Sequence, residues 1–79
     1  MRLDKFLKDF RIVKRRSVAR DMIRGGRIRV NGRAVKPSRE LKEGDIVEVF
    51  FGNRYLKFRV LTGGYETLED ERVRRGDSL

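Results

Sequence analysis

Residues 14–33 read KRRSVARDMIRGGRIRVNGR and decide the fold, because the spacing of the apolar residues changes from helical to strand-like within this stretch. Eight of its twenty residues are Lys or Arg. The first part has helical spacing, Gly25-Gly26 interrupts it, and the alternation that follows is typical of a β-strand. A packed core needs no such charge. The stretch therefore predicts a small α+β unit that meets a negatively charged ligand.

The helical part of this stretch carries two different faces. Ser17 is a favourable N-cap, and the apolar face is predicted to consist of Val18, Ala19, Met22 and Ile23. A spacing of four residues stacks Arg16, Arg20 and Arg24 along another face. Like charges at this spacing repel by about 0.2–0.5 kcal/mol per pair, so the row is expected to meet a counter-charge.

Outward from this stretch, the chain predicts one helix before it and a small antiparallel sheet after it. The preceding helix has an apolar stripe at i, i+3, i+4 and i+7, formed by Leu3, Phe6, Leu7 and Phe10. Asn31-Gly32 predicts a type I′ hairpin, and Ala34-Val35 would begin its return strand. The fold class is therefore α+β, with two N-terminal helices packed on a small antiparallel sheet.

Two further strands are predicted at 46–51 and 55–61, joined by a type II′ turn at Gly52-Asn53. In the second of these strands, Leu56, Phe58 and Val60 are expected to face the core. We place one folded domain at 1–62 and a charged C-terminal tail at 63–79. The tail is expected to form a short helix around 68–73 or to be disordered.

The charge of the 79-residue chain is uneven. The formal net charge is +9, with +10 in residues 1–40 and −1 in residues 41–79. Arginine accounts for 15 of the 21 basic residues, and its planar fork suits phosphates better than the point charge of lysine. This asymmetry favours a polyanion, because each neutralised phosphate releases condensed counterions.

Composition also argues against several classes of protein. The chain has no Cys and no His, which excludes disulfides, thiolate chemistry and the usual zinc ligands. Its carboxylates form no catalytic signature, so we expect no enzymatic activity and no cofactor. No apolar run approaches the length of a membrane span, and we expect a cytoplasmic monomer without membrane contact.

The basic residues of the helical part are the candidate RNA-binding site. No predicted helix carries the Asn/Gln-plus-Arg set that reads DNA base edges, and the Phe residues mostly fall on core stripes, which leaves phosphate and shape recognition of folded RNA. The Ser17 hydroxyl and nearby amides at the second helix would add an anion site. The candidates are Arg2, Lys5, Lys14, Arg15, Arg16, Ser17, Arg20, Arg24 and Arg27.

Residues 1 to about 60 resemble the αL RNA-binding domain named after the small-subunit ribosomal protein S4. The resemblance rests on MRLDKFLK from residue 1, IVKRRSVARDMI from residue 12, GGRIRVNGRAVKPS from residue 25 and LKEGDIVEV from residue 41. Such domains place RNA on the helical face. As a free-standing domain, the chain is similar to the RqcP family of bacterial ribosome quality-control factors and to the larger fifteen-kilodalton heat-shock protein.

The resemblance implies a function and a set of partners. It implies binding to large-subunit rRNA and to peptidyl-tRNA on obstructed large ribosomal subunits, with RqcH as a partner that directs tailing of the nascent chain. By resemblance, Arg2 and Arg16 are the strongest candidates for RNA contact. Two alternatives stay open: a structural or assembly rRNA-binding protein of the ribosome, and an RNA-targeting subunit for a separate RNA-modifying enzyme.

Overall fold

The computed structural model describes residues 1–72 and contains two helices on one face of a five-stranded antiparallel sheet. The helices are α1 (Leu3–Asp9) and α2 (Arg16–Arg24). The strands are β1 (Ile28–Val30), β2 (Arg33–Ala34), β3 (Ile46–Phe50), β4 (Arg54–Leu61) and β5 (Gly64–Arg72). Their order across the sheet is β2-β1-β3-β4-β5. The α+β class and the helix-on-sheet arrangement are thereby confirmed.

The core lies between the helices and the inner face of the sheet. Leu3, Phe6 and Leu7 of α1 are buried as their spacing predicts, and the Phe6 ring stacks on Phe58 with centroids 5.8 Å apart. From β4, the predicted inward residues Leu56, Phe58 and Val60 are all buried. The inward-facing residues of the strands and the apolar stripe of α1 thus pack together in one apolar cluster.

Helix α2 corrects the sequence prediction at its start and confirms it at its end. The helix begins at Arg16, with Arg15 as N-cap and no side-chain cap, so the prediction of Ser17 as N-cap is wrong. Ser17 is instead the second helical residue, where its hydroxyl cannot cap the first turn. At the other end, Gly26 takes φ 77°, and the amides of Gly26 and Arg27 donate to the carbonyls of Ile23 and Met22.

The apolar face of α2 is narrower than predicted. Ala19 and Ile23 are buried, and Met22 is half-buried. Val18 is 44% exposed, so its assignment to the core is wrong. Its side chain lies at the edge of the buried stripe, because one residue corresponds to about 100° around a helix and Val18 is displaced that far from Ala19.

The first hairpin follows its sequence signal, whereas the second uses a different turn. Asn31 and Gly32 take φ 53° and 78°, as a type I′ turn requires. The Asn31 side chain also donates to Asp45 and accepts from the Ile46 amide, which ties the hairpin to β3. A type II′ turn needs positive φ at Gly52, and Gly52 does not adopt it, so that prediction is wrong.

The segment after Gly63 corrects the prediction for the tail. Residues 64–72 form β5 and pair with β4, whereas a short helix or disorder was predicted there. Opposite charges across the two strands favour this pairing, since Arg59 lies opposite Glu66 and Lys57 opposite Glu69. The rest of the tail, 73–79, lies outside the described residues, including the end of the predicted helix. Over residues 1–72, neither helix is long and apolar enough to cross a membrane.

Candidate nucleic-acid interface

A buried carboxylate holds three of the predicted arginines together. Asp4 in the first turn of α1 is 1% exposed. Its Oδ2 lies 3.2 Å from Arg16 Nε and 3.6 Å from Arg20 Nε, and its Oδ1 lies 3.7 Å from Arg2 Nε. The Lys5 amide donates to Oδ1 at 2.8 Å. We call Asp4 with Arg2, Arg16 and Arg20 the arginine clamp.

Helix spacing explains why the clamp forms. Arg16 and Arg20 are four residues apart, so both lie on the flank of α2 that faces the start of α1. Asp4 belongs to the first turn of α1, where the helix dipole favours a negative charge. The like charges that would repel along an isolated α2 are therefore attracted to one carboxylate from the neighbouring helix.

The clamp stays ionised and keeps an excess of positive charge. Burial raises the pKa of Asp4. Hydrogen bonds from Arg16 and the Lys5 amide, together with the charges of Arg16 and Arg2, outweigh this effect, so the pKa lies below its ordinary value. Three guanidinium groups share one carboxylate, and their side chains are 38–49% exposed. Asp4 thus orients the arginines without neutralising them all.

A basic cleft opens beside the clamp, between α2 and the segment that follows β2. Its volume is about 580 Å³, and five of its lining residues are polar or charged: Arg2, Arg20, Arg24, Lys36 and Ser38. The cations stand on both walls, so a polyanion in the cleft would be contacted from two sides. Such a cleft, with guanidinium forks and an ammonium group, is chemically suited to a phosphodiester chain.

The other predicted residues are distributed over different surfaces. Lys5 donates to Asp9 at 2.7 Å within α1, and Ser17 is exposed near the start of α2. Lys14 and Arg15 lie on the opposite flank of α2 from the cleft. Arg27 is exposed between α2 and β1 and does not line the cleft. The structure therefore brings together Arg2, Arg16, Arg20 and Arg24, whereas the side chains of the other five candidates belong neither to the ion pairs of the clamp nor to the lining of the cleft.

Sequence reasoning missed three residues of this region. Asp4 is absent from the predicted site residues, but it is buried at the centre of the clamp. Its position between Leu3 and Leu7 on the apolar side of α1 was the available signal. Lys36 and Ser38 enter the cleft through the segment after β2, and no local pattern indicated that this segment would face α2.

Comparisons with known proteins identify the family of this chain. The S4 domain family matches residues 1–47. The chain is 45% identical over 84 residues to the RQC P-site tRNA stabilizing factor of Streptococcus pneumoniae, covering 92% of this chain and 96% of that relative. The relative of that name in Bacillus subtilis is 45% identical over 60 residues, which cover 76% of this chain and 70% of that protein.

Heat shock protein 15 supplies a solved structure with the same fold. The trimeric protein of Vibrio cholerae superposes with a TM-score of 0.79 at 28% identity, covering 85% of this chain and 80% of that one. The expected monomeric state of this chain stays a prediction.

The family that the sequence motifs resemble is confirmed. The chain belongs to the S4 domain family and, within it, to the group of RQC P-site tRNA stabilizing factors and their heat shock protein 15 relatives.

Proposed function

We propose that this protein is a non-enzymatic RNA-binding factor of ribosome quality control. It binds large-subunit rRNA and stabilises P-site peptidyl-tRNA on stalled large ribosomal subunits while the nascent chain is tailed and rescued. RqcH is its proposed partner in that step, which takes place in the cytoplasm. The names of its relatives support this proposal, since several are RQC P-site tRNA stabilizing factors.

The arginine clamp is the observation that carries the proposal. A factor that stabilises a bound tRNA has to hold its backbone without chemistry, and phosphate contacts fix position and orientation with no base readout. Arg16 and Arg20 are held by Asp4 at 3.2 and 3.6 Å before any RNA arrives. Their forks therefore lose less conformational freedom on binding than free arginines would.

The basic cleft extends the same surface away from the clamp. Arg2 and Arg20 belong to both, and Arg24 and Lys36 continue the positive charge along the cleft. One strand of RNA backbone can therefore contact the clamp and the cleft together. Recognition through phosphates and shape suits an RNA that has a stable three-dimensional fold, and both tRNA and large-subunit rRNA have one.

The test is a sucrose-gradient profile of the tagged protein, followed by sequencing of the RNA crosslinked to it. Wild type is expected to sediment with large subunits that carry peptidyl-tRNA, and Arg16→Ala is expected to leave that peak. Arg59→Ala is the matched control, because Arg59 on β4 pairs with Glu66 at 2.8 Å, outside the clamp. Equal loss of the peak in both variants would contradict a role for the clamp.

The same gradient separates the alternatives that the sequence leaves open. A structural or assembly protein would be found in every large subunit or in precursors, at equal stoichiometry. A targeting subunit of an RNA-modifying enzyme would co-purify with that enzyme away from stalled subunits. Either distribution would replace the quality-control proposal.

A further inference from the structure

A second surface lies on the far flank of α2 and takes no part in the arginine clamp. Ile12, Val18, Met22 and Phe51 form its apolar floor, and Lys14 and Arg15 stand at its rim. We call it the apolar groove, and its volume is about 490 Å³. Val18 is 44% exposed, and the other three floor residues are half-buried.

Helix geometry separates this groove from the RNA-binding surface. Val18 and Arg20 are two residues apart and therefore point about 160° away from each other around the axis of α2. The buried side chains of Ala19 and Ile23 lie between the two directions and face the core. One helix thus presents arginines on one flank and an apolar floor on the other, so both surfaces can be occupied at once.

The chemistry of the groove differs from that of the basic cleft. Its floor consists of aliphatic, thioether and aromatic side chains, which gain from contact with other apolar groups and offer no donors to phosphates. Lys14 and Arg15 are exposed, and within residues 1–72 neither forms an ion pair. An apolar floor beneath unpaired cations favours a ligand that combines apolar side chains with negative charge.

We propose that the apolar groove docks an acidic amphipathic segment of a partner protein. Apolar side chains of the segment pack on Val18, Met22 and Phe51, and its carboxylates pair with Lys14 and Arg15. This is recognition of an amphipathic segment by a groove, with charge selecting the partner. RNA backbone fits less well, because it would place phosphates against an apolar floor.

The test uses two synthetic helical peptides with Leu at i, i+3, i+4 and i+7 and with either Glu or Lys at the other positions. Fluorescence anisotropy is expected to show saturable binding of the Glu peptide only. Val18→Glu is expected to weaken binding about tenfold or more, since it sets a charge in the floor. Leu68→Glu is the matched control, because Leu68 on β5 is similarly exposed at 37% and lies outside the groove.

Charge reversal supplies a second variant that leaves the floor intact. The double change of Lys14→Glu and Arg15→Glu alters only exposed side chains, and it is expected to reject the Glu peptide and admit the Lys peptide. Binding of both peptides alike, absence of saturable Glu-peptide binding, or equal binding by Val18→Glu would each overturn the proposal.

A crosslinking experiment places the groove in its native complex. A photoreactive amino acid at Met22 in reconstituted stalled large subunits is expected to capture an acidic, apolar-containing polypeptide segment, and excess Glu peptide should abolish that product. A crosslink to rRNA or tRNA, or an RNA affinity of Val18→Glu as low as that of Arg16→Ala, would assign the groove to RNA and sink the proposal. Loss of ribosome association in general would contradict the proposed function and leave the peptide measurements as they are.

Discussion

Two clusters of arginine and acidic side chains in this protein are built on opposite principles. In the arginine clamp, Arg2, Arg16 and Arg20 share one carboxylate that is 1% exposed. Between β4 and β5, each of three cations of β4 has its own acid on the surface, in the pairs Arg54–Asp70, Lys57–Glu69 and Arg59–Glu66. We call these three pairs the β4–β5 ladder.

From this difference we infer that the ratio of charges, and not the number of arginines, decides whether such a cluster is available to a ligand. The ladder is matched pair by pair, so little charge remains for a ligand. The clamp has more cations than anions, and its buried Asp4 fixes the cations in place. An external polyanion can therefore neutralise the excess positive charge of the clamp, whereas the charges of the ladder already neutralise one another.

The largest expected effect comes from removing the centre of the clamp. Asp4→Asn should lower the free energy of unfolding by about 2–3 kcal/mol, because the amide loses the ion pairs and turns its own donors toward guanidinium donors. Urea denaturation measures this loss. Asp9→Asn on the exposed side of α1 is the control and should change stability little. Comparable losses in the two variants would show that burial of Asp4 has no special energetic role.

Mutations in the clamp and in the ladder should also differ in their effect on RNA binding. Arg16→Ala is expected to weaken binding to a tRNA or rRNA fragment by about 1–3 kcal/mol and to reduce the salt slope by about one, as for a lost phosphate contact. Arg59→Ala removes the same charge from the ladder and should change neither quantity by much. Filter binding over a range of salt concentrations gives both numbers, and circular dichroism confirms that the variants are folded.

If Arg59→Ala weakened binding as much as Arg16→Ala, net charge alone would govern affinity. The separation of clamp and ladder would then have no meaning for RNA recognition. A reduced affinity with an unchanged salt slope in Arg16→Ala would point instead to a change in the shape of the clamp.

Local patterns in the sequence predict most of this fold. The stripe of Leu3, Phe6 and Leu7, the glycine stop at Gly26 and the Asn31-Gly32 turn each follow from one short segment, and the structure contains all of them. In each case the cause is local, since helix spacing, a left-handed cap and a type I′ turn need no distant partner.

The features that sequence reasoning missed depend on partners far along the chain. Strand β5 has few apolar side chains of its own; its backbone pairs with β4, its acids lie opposite the cations of β4, and Tyr65 packs against the Phe58 ring. Asp4 looks like a surface residue until α2 covers it with arginines from positions 16 and 20. Charged residues are exposed by default, and the packing of α2 against the start of α1 makes Asp4 an exception.

The stability of the protein at acid pH should depend on the buried carboxylate of the clamp. The folded-state pKa of Asp4 lies below its ordinary value, so the unfolded state binds the proton more readily. The stabilisation is therefore complete above the unfolded pKa of about 3.9 and is lost as the pH falls through the folded value. Urea denaturation between neutral pH and about pH 2.5 should show a shallower acid limb for Asp4→Asn than for wild type.

Asp45 titrates in the same direction and has to be separated from Asp4. Burial raises its pKa, but the Lys42 amide, the Asn31 side chain and the charge of Arg39 lower it below the ordinary value overall. Asp4→Asn should therefore retain part of the acid limb, and the double variant with Asp45→Asn should retain less of it, with a remainder from Asp9 and Asp70, whose pKa values are also lowered by their basic partners. An unchanged limb in Asp4→Asn would contradict an ionised carboxylate in the clamp.

The smallest expected effect comes from the ladder itself. Glu66→Gln breaks the pair with Arg59, whose two side chains are 46% and 51% exposed, and should lower Tm by no more than about 2 °C at low salt. The difference from wild type should vanish in high salt, because screening already weakens an exposed pair. Thermal melts at two salt concentrations measure it. A larger, salt-independent loss would mean that β5 depends on this pair for its registry with β4, and the ladder would then be as organised as the clamp.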